Sequence, residues 1–497
     1  MDRSVERKTG GTQENMQETG IPLTGFKECD IRGEFRSEVN EALAYRLGRA
    51  FGSVAKERRM VLGGDFRTST PALVGPLKRG LAESGMVVYD LGQVSTPAYY
   101  FARRKLGIRP GIMVTASHSP SAYNGFKPIL GELPITPEEL EELKEIALRE
   151  DFRSDLGRIE RVDIRSDYIQ SLVERFAGLR GRAPKVVFDC GNGATGWVIR
   201  DVLDALEIDA TVLFPEPDGR FPNRSPDIAG PEDLARLQDE VRRSGAALGA
   251  GFDGDGDRVG FVDEEGRRIP SDLLIAWLAR ELLKRFPGET VVYDLKLSRV
   301  VPETVERNGG KAIVQKSGHT FIKRTVLETN ALLGGEYTGH LFYKELEGGD
   351  DGLFSSLLVC ALLAERRTPF SECFKDLPRY YSTPDLRIPY AGEKEALIQE
   401  AIDRARTDGA RLLLIDGVKA EYEEGWGLMR ASVTEPALTF RFEGKTKLDM
   451  LHVARRFLSG MGELEEKVWN RILRYASLTA EEEGKENILP EGATTDV

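Results

Sequence analysis

KVVFDCGNG, residues 185–193, is an apolar run that ends at an aspartate and passes into a glycine-rich turn. Two other stretches are also apolar runs ending near an aspartate, MVLGGDFR at 60–67 and TVVYDLKLS at 290–298. Short apolar runs bounded by turn signals suit strands buried on both faces of a sheet. Some tens of residues after each run, a second short strand leads into a polar loop. Those loops are TASHSPSAYNG (115–125), GFDGDGDR (251–258) and GGEYTGH (334–340). Helical patterns fill the intervals. Such alternation predicts mixed or parallel sheets covered by helices. Its recurrence predicts three related α/β domains, each delivering one functional loop from a strand end.

After about residue 380 the texture changes. PDLRIPY, ARLLLIDGVKAEY, GWGLMRASV and ALTFRFEG read as antiparallel strands, and LDMLHVARRFLSGMGELEEKVWNRILRYAS reads as helical. A fourth, α+β domain is therefore expected, with its boundary near FKDLPRYYSTPD, where turn residues cluster. The domains fall at 21–165, 166–265, 266–380 and 381–478. Residues 1–20 are polar and read as a disordered leader, neither signal peptide nor anchor. Residues 479–497 read as a flexible acidic tail. A chain of 497 residues calls for several domains, and 40% hydrophobic content can fill several cores.

The net charge is −12, and no Lys/Arg run offers a nucleic-acid surface. No apolar stretch is long enough to span a bilayer. Any anion site must come from local clusters of Arg and Lys. Cys29, Cys190, Cys360 and Cys373 lie far apart with no C-x-x-C pairing. That argues against a zinc site or disulfide framework and fits a reducing cytoplasm.

Three of the four histidines sit in loops of small residues: His118 in TASHSP, His319 in KSGHT and His340 in EYTGH. Such histidines suit proton transfer or hydrogen bonding to phosphate. His452 lies in a helical pattern and reads as structural. In DGDGDR, Asp253, Asp255 and Asp257 alternate with glycine. Three carboxylates that close repel one another without a cation, and hard cations take such oxygens. An EF-hand is the rival reading, with Glu264 at the bidentate position. Arg258 stands where that loop needs glycine, and the preceding AALGAGF reads as a strand, so Mg²⁺ is favoured. GNGATG (191–196) is literally G-x-G-x-x-G after a strand, and Glu216 follows about 20 residues later. An NAD(P)-dependent dehydrogenase is thus the alternative from another class. Ser117, between Ala116 and His118, is placed as an exposed nucleophile after an apolar strand, without a G-x-S-x-G elbow.

Taken together, FKECDIRG, TASHSP with YNGFK, DGDGDR, GEYTGH and RASVTEP closely resemble, in order, the α-D-phosphohexomutase superfamily, especially its bacterial phosphomannomutase/phosphoglucomutase branch. The resemblance runs from about Phe26 to Ser477. It implies four domains around one deep cleft, three alike (mixed α/β/α) and one α+β. It implies phospho-Ser117 as the phosphate carrier, with His118 beside it. Asp253, Asp255 and Asp257 would hold Mg²⁺ with a phosphoserine oxygen, and Arg258 would neighbour the phosphate. Arg32 and Lys127 match positions for proton transfer or substrate orientation. Glu336, Tyr337, Thr338, Gly339 and His340 would grip sugar hydroxyls. Arg430, Ala431, Ser432, Val433 and Thr434 would bind the distal phosphate. Lys296 and His319 match further substrate contacts.

The implied reaction interconverts hexose 1-phosphate and hexose 6-phosphate of mannose or glucose. A hexose 1,6-bisphosphate serves as intermediate and activator, and phosphoglucosamine mutase is the runner-up within the class. Partners are small sugar phosphates, and monomer or dimer stays open. The chain departs from the family pattern at Cys29, Gly64, Ser119, Thr338 and Val433. Those changes leave the carrier serine, the metal ligands and Arg430 in place, and they leave the sugar undecided. In this family GNGATG recurs as a structural turn.

Overall fold

The apolar runs become the middle strands of three mixed sheets. The structure, a computed structural model, describes residues 20–230, 232–432 and 436–482. Most of the leader expected at 1–20 lies outside these residues, as do Val433, Thr434 and everything beyond Glu482.

The first sheet holds β1 (Ile31–Glu34), β2 (Arg59–Gly64), β3 (Val87–Gln93), β4 (Gly111–Val114), β5 (Tyr123–Ile129) and β6 (Arg158–Arg161), in the order β1-β5-β4-β2-β3-β6. The second holds β7 (Val186–Asp189), β8 (Ala210–Leu213), β9 (Leu248–Phe252), β10 (Val259–Asp263) and β11 (Arg268–Ile269), ordered β11-β10-β9-β7-β8. The third holds β12 (Thr290–Asp294), β13 (Lys311–Gln315), β14 (Leu333–Gly335), β15 (Leu341–Tyr343) and β16 (Gly349–Asp350), ordered β13-β12-β14-β15-β16.

One device recurs in all three. A parallel core, β2 with β4, β7 with β9, or β12 with β14, carries an antiparallel hairpin at its side. That hairpin is β4–β5, β9–β10 or β14–β15. The three loops singled out in the sequence are the three hairpin connections. Central strands such as β4 and β9 are buried along their whole length, which is why they read as unbroken apolar runs rather than alternating ones.

The last sheet is antiparallel throughout. It holds β17 (Tyr381–Ser382), β18 (Leu386–Pro389), β19 (Arg411–Leu413), β20 (Val418–Glu421), β21 (Gly425–Ala431) and β22 (Ala437–Gly444). Its order is β17-β22-β21-β20-β19, with β18 also on β22. The closing helix Glu463–Glu482 extends into the stretch expected as tail. No described helix is long and apolar enough to cross a membrane.

One hydrophobic core continues from the first sheet through the second into the third, through Val61, Phe188, Phe252, Trp277 and Phe354. The fourth unit has its own core around Phe440, Phe442 and Phe457. It meets the third through a small patch, Leu295 against Trp426 and Leu428. Beside that patch Lys419 is buried. Its Nζ donates to the Leu295 carbonyl at 2.8 Å and lies 3.9 Å from the Trp426 ring centre.

Burial drags the Lys419 ammonium from 10.5 down to about 8. A depressed lysine contributes its stability in full above the unfolded value. That contribution is lost as pH falls through the folded one. Lys419→Met is therefore expected to raise stability near pH 7 by on the order of 3 kcal/mol, and by much less near pH 10. Denaturant melts at the two pH values check this, and an equal gain at both would discard the buried-ammonium account.

Candidate active site

Ser117 sits at the start of the β4–β5 connection with φ +49°, a left-handed conformation uncommon for serine. It is 1% exposed, so the expectation of an exposed nucleophile is corrected. The loop folds inward because a buried arginine holds it. Arg67 donates to the carbonyls of Ser117 (2.6 Å), Ser119 (2.6 Å), Pro120 (2.7 Å) and Tyr123 (3.0 Å). Its Nε lies 3.2 Å from Asp65 Oδ2. In the sequence Arg67 stands out only as the surviving part of a motif that Gly64 breaks. Four carbonyls converging on one guanidinium have no sequence signature.

The Ser117 hydroxyl donates to Asp253 Oδ2 at 2.7 Å, which joins the first hairpin loop to the second. His118 Nδ1 is 3.5 Å from the same hydroxyl. Arg258, then burial, holds the His118 imidazolium well below its usual range, so His118 is neutral near pH 7.

Asp253, Asp255 and Asp257 are all buried, and each offers an oxygen within 4.8 Å of the others. Lys127 Nζ bridges Asp255 (3.0 Å) and Asp257 (2.8 Å). Burial would lower its proton affinity, but those two carboxylates hold it well above the ordinary lysine value. Asp255 also accepts from Thr96 Oγ1 at 2.7 Å, in the first turn of the helix Thr96–Leu106. Burial pushes the Asp255 carboxyl up, but Lys127 and Thr96 outweigh it and leave it below the usual range. Asp253 goes the other way. Burial, with Asp255 and Asp257 beside it, pushes its carboxyl well up.

Asp255 Oδ1 and Asp257 Oδ1 are buried with no hydrogen-bond partner. Orphaned acceptor oxygens among three carboxylates fit a hard divalent cation. Asp257, His319, His340 and Asp350 also cluster closely enough to share an ion. There, however, Arg258 Nε donates to His340 Nε2 at 2.8 Å, so the His340 proton is on Nδ1. That proton is donated to Asp350 at 2.8 Å, and Nδ1 has no lone pair left for a metal.

The second and third loops are also stitched together. Arg258 pairs with His340 as an isolated β-bridge, and the Val259 N–H donates to the Gly339 carbonyl at 3.2 Å. A cleft of about 260 Å³ opens between the first and third sheets, lined by Cys29, Arg32, Lys127, Arg258, His319, Glu336 and His340 among others. Glu336 Oε2 in that wall, and Thr338 Oγ1 on the same loop, are buried without partners. Tyr337 lies between Lys296, 5.0 Å from its ring centre, and Arg441, at 4.2 Å. Arg430 and Ala431 end β21 in the fourth unit, away from the cleft wall, with Ser432 just beyond. Arg32 pairs with Asp30. His452 is exposed on the helix Lys447–Leu458. Tyr100, Lys323 and Asp350 complete the wall around His319. As residues of a helix face or a strand end, they carry no motif that sequence reasoning could have found.

The rival readings fail on geometry. The Asp loop joins two strands, not two helices, which removes the EF-hand. In GNGATG the N–H groups of Asn192, Gly193, Ala194 and Gly196 already donate to carbonyls of the protein. A Cβ on Gly196 would lie 1.8 Å from the Pro215 carbonyl oxygen. The turn packs against the Asp loop, and most of its N–H donors are already taken by the protein.

Profiles of the phosphoglucomutase/phosphomannomutase family match along the chain. Alpha/beta/alpha domain I covers residues 24–154, domain II 166–266, domain III 270–381, and the C-terminal domain 386–459. The chain belongs to the phosphoglucomutase/phosphomannomutase family. A phosphomannomutase/phosphoglucomutase of Pseudomonas syringae pv. tomato is 38% identical over 435 residues, 86% of this chain and 93% of that protein. A phosphoglucomutase of Neisseria gonorrhoeae is 36% identical, over 89% of this chain and 98% of its own. Among solved structures, a phosphoglucomutase/phosphomannomutase family protein from Burkholderia thailandensis superposes with TM-score 0.83 at 35% identity, covering 89% of this chain and 98% of that one. The four-unit architecture is thus that of the phosphoglucomutase/phosphomannomutase family, and the hairpin loops are where this family member gathers its polar side chains.

Proposed function

We propose that this phosphohexomutase interconverts the 1- and 6-phosphates of mannose and glucose through phospho-Ser117 and a hexose 1,6-bisphosphate. The observation that carries this reading is the Ser117 hydroxyl, held 2.7 Å from Asp253 inside a cluster with orphaned carboxylate oxygens. The Pseudomonas syringae relative is a phosphomannomutase/phosphoglucomutase, a name that covers both sugars.

The phosphoryl group leaves Ser117 Oγ, which takes up a proton, as its bond to a sugar hydroxyl oxygen forms, and the hydroxyl proton passes to a base in the cleft. The bisphosphate then reorients, and its other phosphate returns to Ser117. Asp253, Asp255 and Asp257 would hold Mg²⁺, which supplies charge neutralisation at the phosphoryl oxygens. Lys127 and Arg258 bring cationic donors to the same region. Neutral His118 serves as a hydrogen-bonding group rather than a charge. Glu336 and Thr338 offer unpartnered oxygens to sugar hydroxyls, with His319 and His340 beside them. Lys296, Tyr337, Gly339 and the end of β21 frame the rest of the substrate, and Arg430 grips the phosphate that is not reacting. The free state of all four cysteines fits a cytoplasmic setting.

The test is turnover of mannose 1-phosphate and glucose 1-phosphate, with Mg²⁺ dependence and stimulation by catalytic hexose 1,6-bisphosphate. Competing 1-phosphates in one tube, followed by phosphorus NMR, rank the sugars. Glucosamine 1-phosphate outrunning both would move the chain to the runner-up activity. Tight NADH binding with no bisphosphate effect would discard the mutase reading.

A further inference from the structure

Asp416 lies on the turn between β19 and β20, outside every motif that the proposed reaction uses. Its Oδ2 is 2.8 Å from Arg430 Nε, and both side chains are 17% exposed. The turn is pinned against the strand that carries Arg430. Gly417 has φ +70°, and a Cβ there would fall 2.2 Å from the Met429 carbonyl oxygen and 2.8 Å from Arg430 Cα. Val418 then pairs in register with Met429. Residue 417 must therefore be glycine, and the carboxylate before it is delivered to the Nε edge of the guanidinium.

Among the described residues no nitrogen of Arg430 makes a hydrogen bond, so the contact at Nε is a close ion pair and both Nη groups are left open. A guanidinium held at Nε presents its Nη pair as a planar fork, the arrangement that matches two phosphate oxygens. We propose that Asp416 is a positioning residue for the distal phosphate, holding Arg430 by its Nε edge so that the Nη pair faces the substrate. Burial raises the Asp416 carboxyl, against the opposing pull of Arg430 and Lys316. The carboxylate is thus kept at a cost that surface solvation would have spared. An exposed ion pair would add little, whereas this one is partly buried.

The inference rests on the reading of Arg430 as the phosphate grip, and the experiment separates the two. Steady-state kinetics with hexose 1-phosphate are measured on Asp416→Asn, Asp416→Glu, Arg430→Gln and the double variant Asp416→Asn/Arg430→Gln, each with its melting temperature. Arg430→Gln is expected to raise KM strongly. Asp416→Asn is expected to raise KM about tenfold with kcat within about twofold and an unchanged melting temperature, the signature of lost ground-state grip. Asp416→Glu should recover most of that loss. In the Arg430→Gln background the Asp416 change should add nothing, because its effect passes through the guanidinium. If Arg430→Gln leaves KM unchanged, the phosphate-grip reading and this inference both fall. If Arg430→Gln raises KM while Asp416→Asn leaves it unchanged, lowers it, or adds in full to Arg430→Gln, only the role of Asp416 is overturned.

Discussion

Ser117→Ala is expected to lower kcat by roughly 10⁴-fold or more while leaving the fold intact, because it removes the atom to which the travelling phosphoryl group is attached. In the protein alone the hydroxyl donates to Asp253 at 2.7 Å and lies 3.5 Å from His118 Nδ1, and no backbone group depends on it. The turn around it is held by backbone carbonyls that Arg67 grips, and alanine keeps those carbonyls. The left-handed φ is equally costly for serine and alanine, so the change in strain is small. The loss should therefore be chemical. Direct transfer between two sugars would need both bound at once in a cleft of about 260 Å³, and transfer to water yields hydrolysis, not isomerisation. Intact-mass measurement supplies the second readout. The natural chain incubated with hexose 1,6-bisphosphate should gain one phosphoryl group, and Ser117→Ala should gain none. A variant that keeps a tenth of the activity, or that still takes up the group, would remove Ser117 from the mechanism.

Much of this was legible in the sequence because the chemistry sits on hairpin loops. Each loop follows a strand buried on both faces, so the apolar run announces the strand and the abrupt change to Gly, Ser, Asp and His announces the loop. The alternate carboxylates of DGDGDR point to a cation wherever they occur, and the scarcity of histidine made His118, His319 and His340 conspicuous. What stayed hidden depends on contacts across the chain. Arg67 is 50 residues from Ser117, and Thr96 is 159 residues from Asp255. Asp350 meets His340 through an adjacent strand of the third sheet. Asp416 reaches Arg430 only because a glycine turn folds back on β21. None of these pairs has a spacing that recurs, since spacing reflects local geometry and these contacts are set by how sheets and loops pack. The GNGATG turn shows the converse. Its spacing fits a dinucleotide motif, but acceptors in the turn and in neighbouring loops already take most of its donors.

Asp253→Asn is expected to abolish Mg²⁺-dependent turnover, by more than about 100-fold in kcat, and to make the metal-free protein more stable near neutral pH. The two effects share one cause. In the metal-free protein, burial and the carboxylates of Asp255 and Asp257 push the Asp253 carboxyl well above its usual range. A carboxyl so raised contributes its stability in full below the unfolded value and loses it as pH rises through the folded one. Near pH 7 an ionised Asp253 is therefore a burden, relieved by a proton or by a bound cation. Asparagine keeps the shape and the Oδ1 acceptor used by the Gly256 and Arg258 N–H groups, at 3.0 and 3.2 Å. It removes the charge and one ligand oxygen. With chelator present the variant should melt higher than the natural chain. With Mg²⁺ the order should reverse, because binding stabilises only the protein that can bind, by about 2.7 kcal/mol at a concentration 100 times Kd. Thermal melts of both proteins with chelator and with Mg²⁺, run beside the turnover assay, read all three expectations. A variant that keeps its Mg²⁺-dependent rise in melting temperature would show that the cation is held elsewhere. One that loses activity but melts lower in chelator would show that Asp253 serves the fold rather than the metal.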